Sequence, residues 1–281
     1  MKIFWHLSVL ALAAALLSSA CAASAQESHY ERFREHNARM TALQPSWASP
    51  LIQSDARLAQ AVRLSFSNFR SAAGTLTTNY GNYHMLGLLI GDRVQANLIA
   101  PPYVQNNSVT AKDEFGDTQL ETKVRVASGN AEHGNYVVTG KLTWDIATGS
   151  HKNGAATSYL EPTLLAGRVW GCFNVQTALS GELPSGKFAL QGRQIEWDLT
   201  GQLHTLKNLW LDAENNANFR IGGPYGGKMQ NFVTPAGFYA LRRKEWKPAH
   251  AIYALGAGMQ IATSGFHLYN HNLVAEARIM F

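Results

Sequence analysis

Two short stretches carry the residue types that a hydrolase or a metal site would need. Ser150 and His151 are neighbours in "GSHKNG", and a barrel lipase needs a serine that is activated by a histidine. Adjacent residues of a strand or loop usually point apart, so this pair favours a plain polar loop. His267 and His271 lie four residues apart, which on a strand places them on one face, about 13 Å apart. That distance is too long for one metal ion, and we therefore predict no enzyme, no metal site and no cofactor.

The surroundings of these residues indicate strands and loops. The run "GGPYGGKMQ" contains glycines but lacks the strand-to-helix context of a phosphate-binding loop, so it is predicted to be a flexible loop. By alternation, His267 and His271 fall on the same face of a strand as Tyr269. If this strand belongs to a membrane barrel, that face points to lipid near the outer rim, and we expect an interfacial role for these residues.

The last nine residues, "LVAEARIMF", alternate in polarity. Phe281, Ile279 and Leu273 share one face, whereas Arg278 and Glu276 share the other. Period two is the period of a strand. A chain that ends on the apolar face of a strand is typical of an outer-membrane barrel. We predict that this face contacts outer-membrane lipid and is recognised by the barrel-assembly machinery. We also predict that the strand itself pairs with the first strand.

The beginning of the chain resembles an export signal. Lys2 precedes an apolar run that ends in a small-x-small pattern, so residues 1–25 are predicted to be a secretory signal peptide. A retained anchor and lipidation of Cys21 are the alternatives. Cleavage would leave Cys172 as the single cysteine, so no internal disulfide is expected. The net charge of +5 is scattered, which argues against a nucleic-acid partner.

The rest of the chain divides into a short N-terminal part and one large domain. Residues 26–56 are predicted to be a helical segment and linker, with the helix near 27–43, and residues 57–281 to be the barrel. The helical stretch has no Gly or Pro, and prolines follow it at 45 and 50.

The predicted fold is all-β, a single antiparallel transmembrane barrel. Candidate strands exceed the usual soluble length of about 5 to 6 residues and suit a tilted membrane crossing. An even number places both termini on the side of the short turns. Longer polar connections, including residues 101–116, are expected on the other side. We predict twelve strands, near 57–69, 75–90, 93–100, 116–128, 135–148, 158–169, 172–181, 192–204, 208–220, 231–243, 249–263 and 266–281.

Charged residues fall on the face that would point into the barrel. They could pair and fill the lumen, or line a path for water and solutes, and the sequence leaves both readings open. The predicted lumen-facing residues are Arg63, Arg93, Glu121, Lys123, Arg125, Lys141, Asp145, Glu161, Glu196, Asp198, Asp212 and Glu214.

Several runs resemble a known family. "FGDTQLETKVRV", "GNYVVTGKLTWDIATGSHKNG" and "GAGMQIATSGFHLYNHNLVAEARIMF" are similar to the outer-membrane barrels associated with phenol meta-cleavage pathways. The resemblance implies passive passage of small solutes, including apolar or aromatic ones, across a bacterial outer membrane. A structural or adhesive barrel with an occluded lumen, and a lipid-modifying barrel enzyme, are the alternatives.

Overall fold

A computed structural model describes residues 24–71, 74–81, 83–108, 111–150, 153–242 and 252–281. Most of the predicted signal peptide, including Cys21, lies outside the described residues, as do His151 and the connection between the predicted strands 231–243 and 249–263. Within the described part of the chain, no helix is long and apolar enough to cross a membrane.

Alternating polarity produces long strands through most of the chain. The described part of the chain also contains two helices, α1 at Ser24–Ala42, which precedes the strands, and the single-turn α2 at Phe188–Gln191, which lies between two of them. The strands are β1 Ala61–Ser71, β2 Leu76–Tyr80, β3 Met85–Ile90, β4 Val94–Ile99, β5 Tyr103–Asn107, β6 Glu114–Phe115, β7 Thr118–Gly129, β8 Tyr136–Ile146, β9 Tyr159–Trp170, β10 Phe173–Pro184, β11 Arg193–Leu206, β12 Leu209–Ile221, β13 Met229–Arg242, β14 Ile252–Ala262 and β15 Tyr269–Met280.

These segments form one closed antiparallel barrel of twelve strands. Each strand from β7 to β15 pairs with its neighbour in the chain, and β15 closes the sheet against β1 from Ala61↔Met280 to Ser71↔Tyr269. β2 and β3 both pair with β1 and act as one interrupted barrel strand, and β4 and β5 continue one another in the same way. Closure removes the free edges of the sheet, which lipid could not hydrogen-bond.

The predicted number of strands and the N-terminal helix are confirmed, with differences in detail. The predicted outer connection at 101–116 contains β5 and β6. Pro101 and Pro102 have no backbone N–H to donate to a neighbouring strand, so the third barrel strand is interrupted between β4 and β5. The interruption is bridged because Ala100 N donates to His84 O at 2.8 Å. The strand pattern therefore continues where proline and polar residues indicated a loop.

The outward face of the barrel is apolar. Leu88, Leu164 and Leu255 are 46%, 57% and 61% exposed although they lie in the middle of strands. Aromatic side chains such as Trp170 near the short turns and Trp144 near the long loops are exposed at the two ends of this surface. Such a surface suits contact with lipid, and the aromatic residues suit its two interfaces.

The predicted outward position of Tyr269 is wrong. Its ring stacks on Phe232, with centroids 4.6 Å apart, and its hydroxyl donates to Gln260 Oε1 at 2.7 Å. Both partners are buried inside the barrel. The register between β1 and β15 shifts between Phe69 and Ser71, and this irregularity breaks the alternation that the prediction extrapolated to the end of the strand.

Candidate functional site: the inner segment in the lumen

Residues 44–60, which join α1 to β1, lie inside the barrel and are called the inner segment here. They form neither helix nor strand, and most of them are buried. Their hydrogen-bond partners come from strands around the barrel, among them Thr139 on β8, Gln176 on β10 and Thr200 on β11. The lumen is therefore filled by a segment that precedes the first strand.

Two apolar side chains anchor the inner segment to the wall. Trp47 packs with Val137 and Leu165, and Leu51 packs with Phe238 and Val274. The wall provides room through glycine, because a Cβ at position 258 would lie 2.8 Å from Leu51 Cδ2 and one at position 167 would lie 2.7 Å from Trp47 Cη2. Larger residues at these two positions would displace the inner segment.

A single carboxylate holds the middle of the inner segment. Glu214 on β12 accepts the backbone N–H of Gln53 at 2.9 Å and that of Ile52 at 3.1 Å, and also that of Leu51. Glu214 is 2% exposed. Hydrogen bonds to an ionised acceptor are stronger than those between neutral groups, so Glu214 is the main acceptor for this turn of backbone.

Cationic side chains hold the carbonyl groups of the inner segment. Arg278 on β15 donates to Ser49 O at 2.5 Å and to Pro50 O. Lys123 on β7 donates to the carbonyl oxygens of residues 55 and 57 at 2.5 and 2.6 Å. Arg63 on β1 donates to the carbonyl of residue 51 and forms an ion pair with Glu276 at 2.6 Å. These three inward cations thus bind the backbone of the inner segment.

Asp55 organises the inner segment from within. Its carboxylate pairs with Arg57 at 2.8 Å and accepts from Trp47 Nε1 at 3.0 Å and from Ser49 Oγ at 2.5 Å. Burial alone would raise the pKa of Asp55. The charges of Arg57 and Lys123, with the hydrogen bonds from Arg57 and Ser49, outweigh burial and hold that pKa well below its usual range. The carboxylate is therefore ionised at neutral pH.

Helix α1 sits at the end of the barrel that carries the short turns. Arg39 donates to Asp92, in the turn after β3, at 2.9 Å. Met40 is fully buried, and its carbonyl accepts from Arg125 at 3.3 Å. Residues 31–35 are exposed. Helix α1 therefore contacts the rim of the lumen but leaves the interior to the inner segment.

The structure places most of the predicted lumen-facing residues inside the barrel. Arg93 is the exception, since it is exposed in the turn between β3 and β4, where the strand alternation does not apply. The residues whose side chains face inward are Arg63, Glu121, Lys123, Arg125, Lys141, Asp145, Glu161, Glu196, Asp198, Asp212 and Glu214.

The strand that ends the chain has the two faces described from its sequence. Leu273 is 43% exposed on the outside and Ile279 is half-buried, whereas Arg278 and Glu276 are buried inside. Phe281 follows β15, and its backbone N–H donates to Gln60 O at 3.0 Å. The end of the chain thus meets the end of the inner segment, beside the first strand. Recognition of this strand by assembly machinery stays a prediction.

Two small cavities lie beside the inner segment among the described residues. One cavity of about 40 Å³ is lined by residues that include Arg57, Tyr83 and Met280. Another of about 70 Å³ is lined by residues that include Ser54 and Lys141. A single water needs about 10–15 Å³, and a cavity that binds benzene is about 150 Å³. These two cavities can hold water or a small ion but not an aromatic solute.

The sequence patterns do not single out the residues of the inner segment. Over residues 44–60 they indicate a helix stop, a linker and the start of the first strand, and they assign no role to Asp55 or Arg57. A signal was present, because Trp47 and Leu51 are large apolar residues in a stretch with no strand or helix period. Such residues in a connecting segment indicate a buried position.

Comparison with known proteins supports the fold. No protein-family model and no curated protein matches the sequence. An outer membrane channel from Pseudomonas putida F1 has a similar structure, with a TM-score of 0.52 and 10% sequence identity over 80% of this chain and 96% of that one. The NanC porin has a TM-score of 0.50 and 8% identity over 79% of this chain and 98% of that one. At such identities the likeness shows the fold alone, a closed antiparallel barrel like that of these two proteins, and the phenol meta-cleavage family stays a prediction.

Proposed function

We propose that the protein is a bacterial outer-membrane channel for passive passage of small solutes and that displacement of the inner segment opens it. The observation that carries this proposal is the inner segment itself, an irregular stretch held in a closed barrel by polar contacts. Outer-membrane lipid is its surrounding and the barrel-assembly machinery its partner during insertion. The protein has no catalytic role in this proposal.

The way in which the inner segment is held supports a reversible opening. Many of its contacts are hydrogen bonds and ion pairs, including those of Glu214, Lys123 and Arg278. Water can replace such contacts when the segment leaves, whereas a continuous apolar core would resist hydration. The wall that would remain is polar on its inside, so it could line a water-filled path.

The class of solute rests on the sequence resemblance. The runs that resemble the barrels of phenol meta-cleavage pathways support small solutes, including aromatic or apolar ones. The two cavities are too small for an aromatic ring, so such a solute requires the inner segment to move.

A barrel with a permanently occluded lumen, serving a structural or adhesive role, is the second candidate. The filled lumen favours it, because contacts on many sides hold the inner segment in place. The two candidates differ in whether the inner segment ever leaves.

Conductance of the purified full-length protein in planar bilayers tests the proposal. We expect rare openings for the wild type and more frequent ones for Arg278→Met, which removes the donors to Ser49 O and Pro50 O. Glu276 keeps Arg63 as its partner in this variant, so the wall should remain folded. Arg168→Met, at an exposed outward position on β9, is the matched control.

Liposome swelling with small sugars and with phenol extends the test to uncharged solutes. Entry that increases in Arg278→Met and not in Arg168→Met would support the channel. If neither variant conducts or admits any solute, the occluded structural barrel is the better description.

A further inference from the structure

Charges of opposite sign occupy opposite sides of the lumen. On the inward faces of β8 to β12, called the acidic wall here, carboxylates outnumber cations. The described carboxylates of this wall are Asp145, Glu161, Glu182, Glu196, Asp198, Asp212 and Glu214, and its described cations are Lys141 and Arg220. On β15, β1 and β7 the balance is reversed. The inward groups there are Arg63, Lys123, Arg125 and Arg278, with Glu121 and Glu276.

The two sides also differ in what their charges contact. Arg63, Lys123 and Arg278 all donate to carbonyl groups of the inner segment. On the acidic wall, Glu214 accepts backbone N–H groups of that segment. Glu161, Glu196 and Asp198 border the cavity of about 70 Å³. Arg63, Lys123 and Arg278 border the cavity of about 40 Å³, but each of them already donates to a backbone carbonyl group. The charged lining of the larger cavity is therefore mainly carboxylate.

Buried carboxylate oxygens on the acidic wall lack partners. Asp212 is 5% exposed, and neither of its carboxylate oxygens has a hydrogen-bond partner among the described residues. Asp145 is 3% exposed, and its Oδ1 also has no hydrogen-bond partner among the described residues. Neither Asp212 nor Asp145 lines the cavity beside Glu196 and Asp198, so both add to the surplus of carboxylates on this wall without marking a bound cation.

The cavity of about 70 Å³ lies between the inner segment and the acidic wall. Ser54 and Gln53 border it on one side, and Glu161, Glu196 and Asp198 on the other. Lys141 is its one lining cation and is already 3.4 Å from Glu161 and 3.7 Å from Glu121. The cavity thus offers carboxylate and hydroxyl oxygens in a space that fits a small cation with water.

The carboxylates are spread out and do not converge on one point. Within the described residues, no group of three or more His, Cys, Asp or Glu side chains could hold a metal ion. Dispersed carboxylates attract cations without chelating them. Conduction requires such binding, strong enough for entry and weak enough for release.

We propose that the acidic wall makes the channel selective for small monovalent cations over anions. This inference rests on the proposed channel function and names the ionic class that the path prefers. Cations enter beside Glu196 and Asp198, between the acidic wall and the inner segment.

Reversal potentials across a KCl gradient test the selectivity. They are measured for the full chain and in the more open Arg278→Met background. A potential of the sign for potassium is expected, and the double change Glu196→Gln with Asp198→Asn should shift it toward zero. Glu132→Gln, which removes a carboxylate from an exposed turn outside the lumen, should leave it unchanged. Chloride preference, or a potential that the double change does not alter, would overturn the inference.

A second measurement does not need conduction. The unfolding temperature of the detergent-solubilised protein is compared in sodium chloride and in tetrabutylammonium chloride at equal concentration. Sodium fits the cavity and the bulky cation does not, so a higher temperature in sodium is expected. The double change should reduce this difference, and Glu132→Gln should retain it. Equal temperatures for the wild type would contradict cation binding, whereas absent conductance with a sodium effect would contradict only the channel.

Discussion

Glu214 is the residue on which the position of the inner segment depends most directly. Glu214→Gln keeps the shape of the side chain but removes the charge that accepts three backbone N–H groups. Weakening charge-assisted hydrogen bonds at a buried acceptor should lower the free energy of unfolding by about 1–3 kcal/mol. Urea unfolding in lipid vesicles measures this change. Glu132→Gln is the control, and an equal effect of both changes would refute the role of Glu214.

Asp55 gives the inner segment a dependence on pH. Its pKa in the folded protein lies below the unfolded value of about 3.9, so the ionised carboxylate contributes stability above that value. The contribution is lost as the pH falls below about 4. We expect the wild type to lose more stability between pH 6 and pH 3 than Asp55→Asn, which lacks this titration. Unfolding curves over that range measure the difference, and parallel curves would count against it.

At the scale of elements, the inner segment is the part whose movement should control passage. Lys141 Nζ donates to Ser54 Oγ at 3.1 Å, which makes this pair a place to fasten the segment to β8. Ser54→Cys with Lys141→Cys, in a Cys172→Ser background, can be joined by a reducible bifunctional thiol reagent. We expect the joined protein to stop conducting and reduction to restore the openings.

Single-cysteine variants control for this experiment. Lys141→Cys alone loses the ion pairs to Glu121 and Glu161, so its own conductance must be measured first. Bilayer recordings before and after reduction provide the comparison. Conductance that continues unchanged in the joined protein would show that solutes pass without movement of the inner segment.

At the scale of the whole molecule, β15 closes the barrel against β1, and we predict that assembly depends on this strand and on Phe281 after it. Deleting Phe281 removes a half-buried aromatic side chain, worth up to about 1.5–3 kcal/mol, and the N–H that meets Gln60 O. We expect this deletion to lower the yield in the outer membrane far more than Met280→Ala, since Met280 lines the lumen. Membrane fractionation and the heat-modifiable migration of folded barrels measure the yield. Equal assembly of both variants would show that the last residue is not needed for recognition.

The sequence determined the barrel because the pattern that predicts strands, the alternation of polarity, depends only on residues that are close together in the chain. Polarity alternates with period two over lengths that suit a membrane crossing, so the strands, their approximate number and the inward set of charges follow from nearby residues. Lys123 and Glu214 face inward for that reason. The same rule fails where the backbone departs from a regular strand, as at Arg93 in a turn and Tyr269 beside a register shift.

Only the tertiary structure decided what fills the lumen. The inner segment has no period of its own, and its position depends on partners far away in sequence, such as Glu214 for Gln53 and Arg278 for Ser49. Hydrogen bonds to backbone N–H and C=O groups leave no trace in the order of side chains. The sequence therefore specified a polar interior, and the folded chain determined that residues 44–60 occupy it.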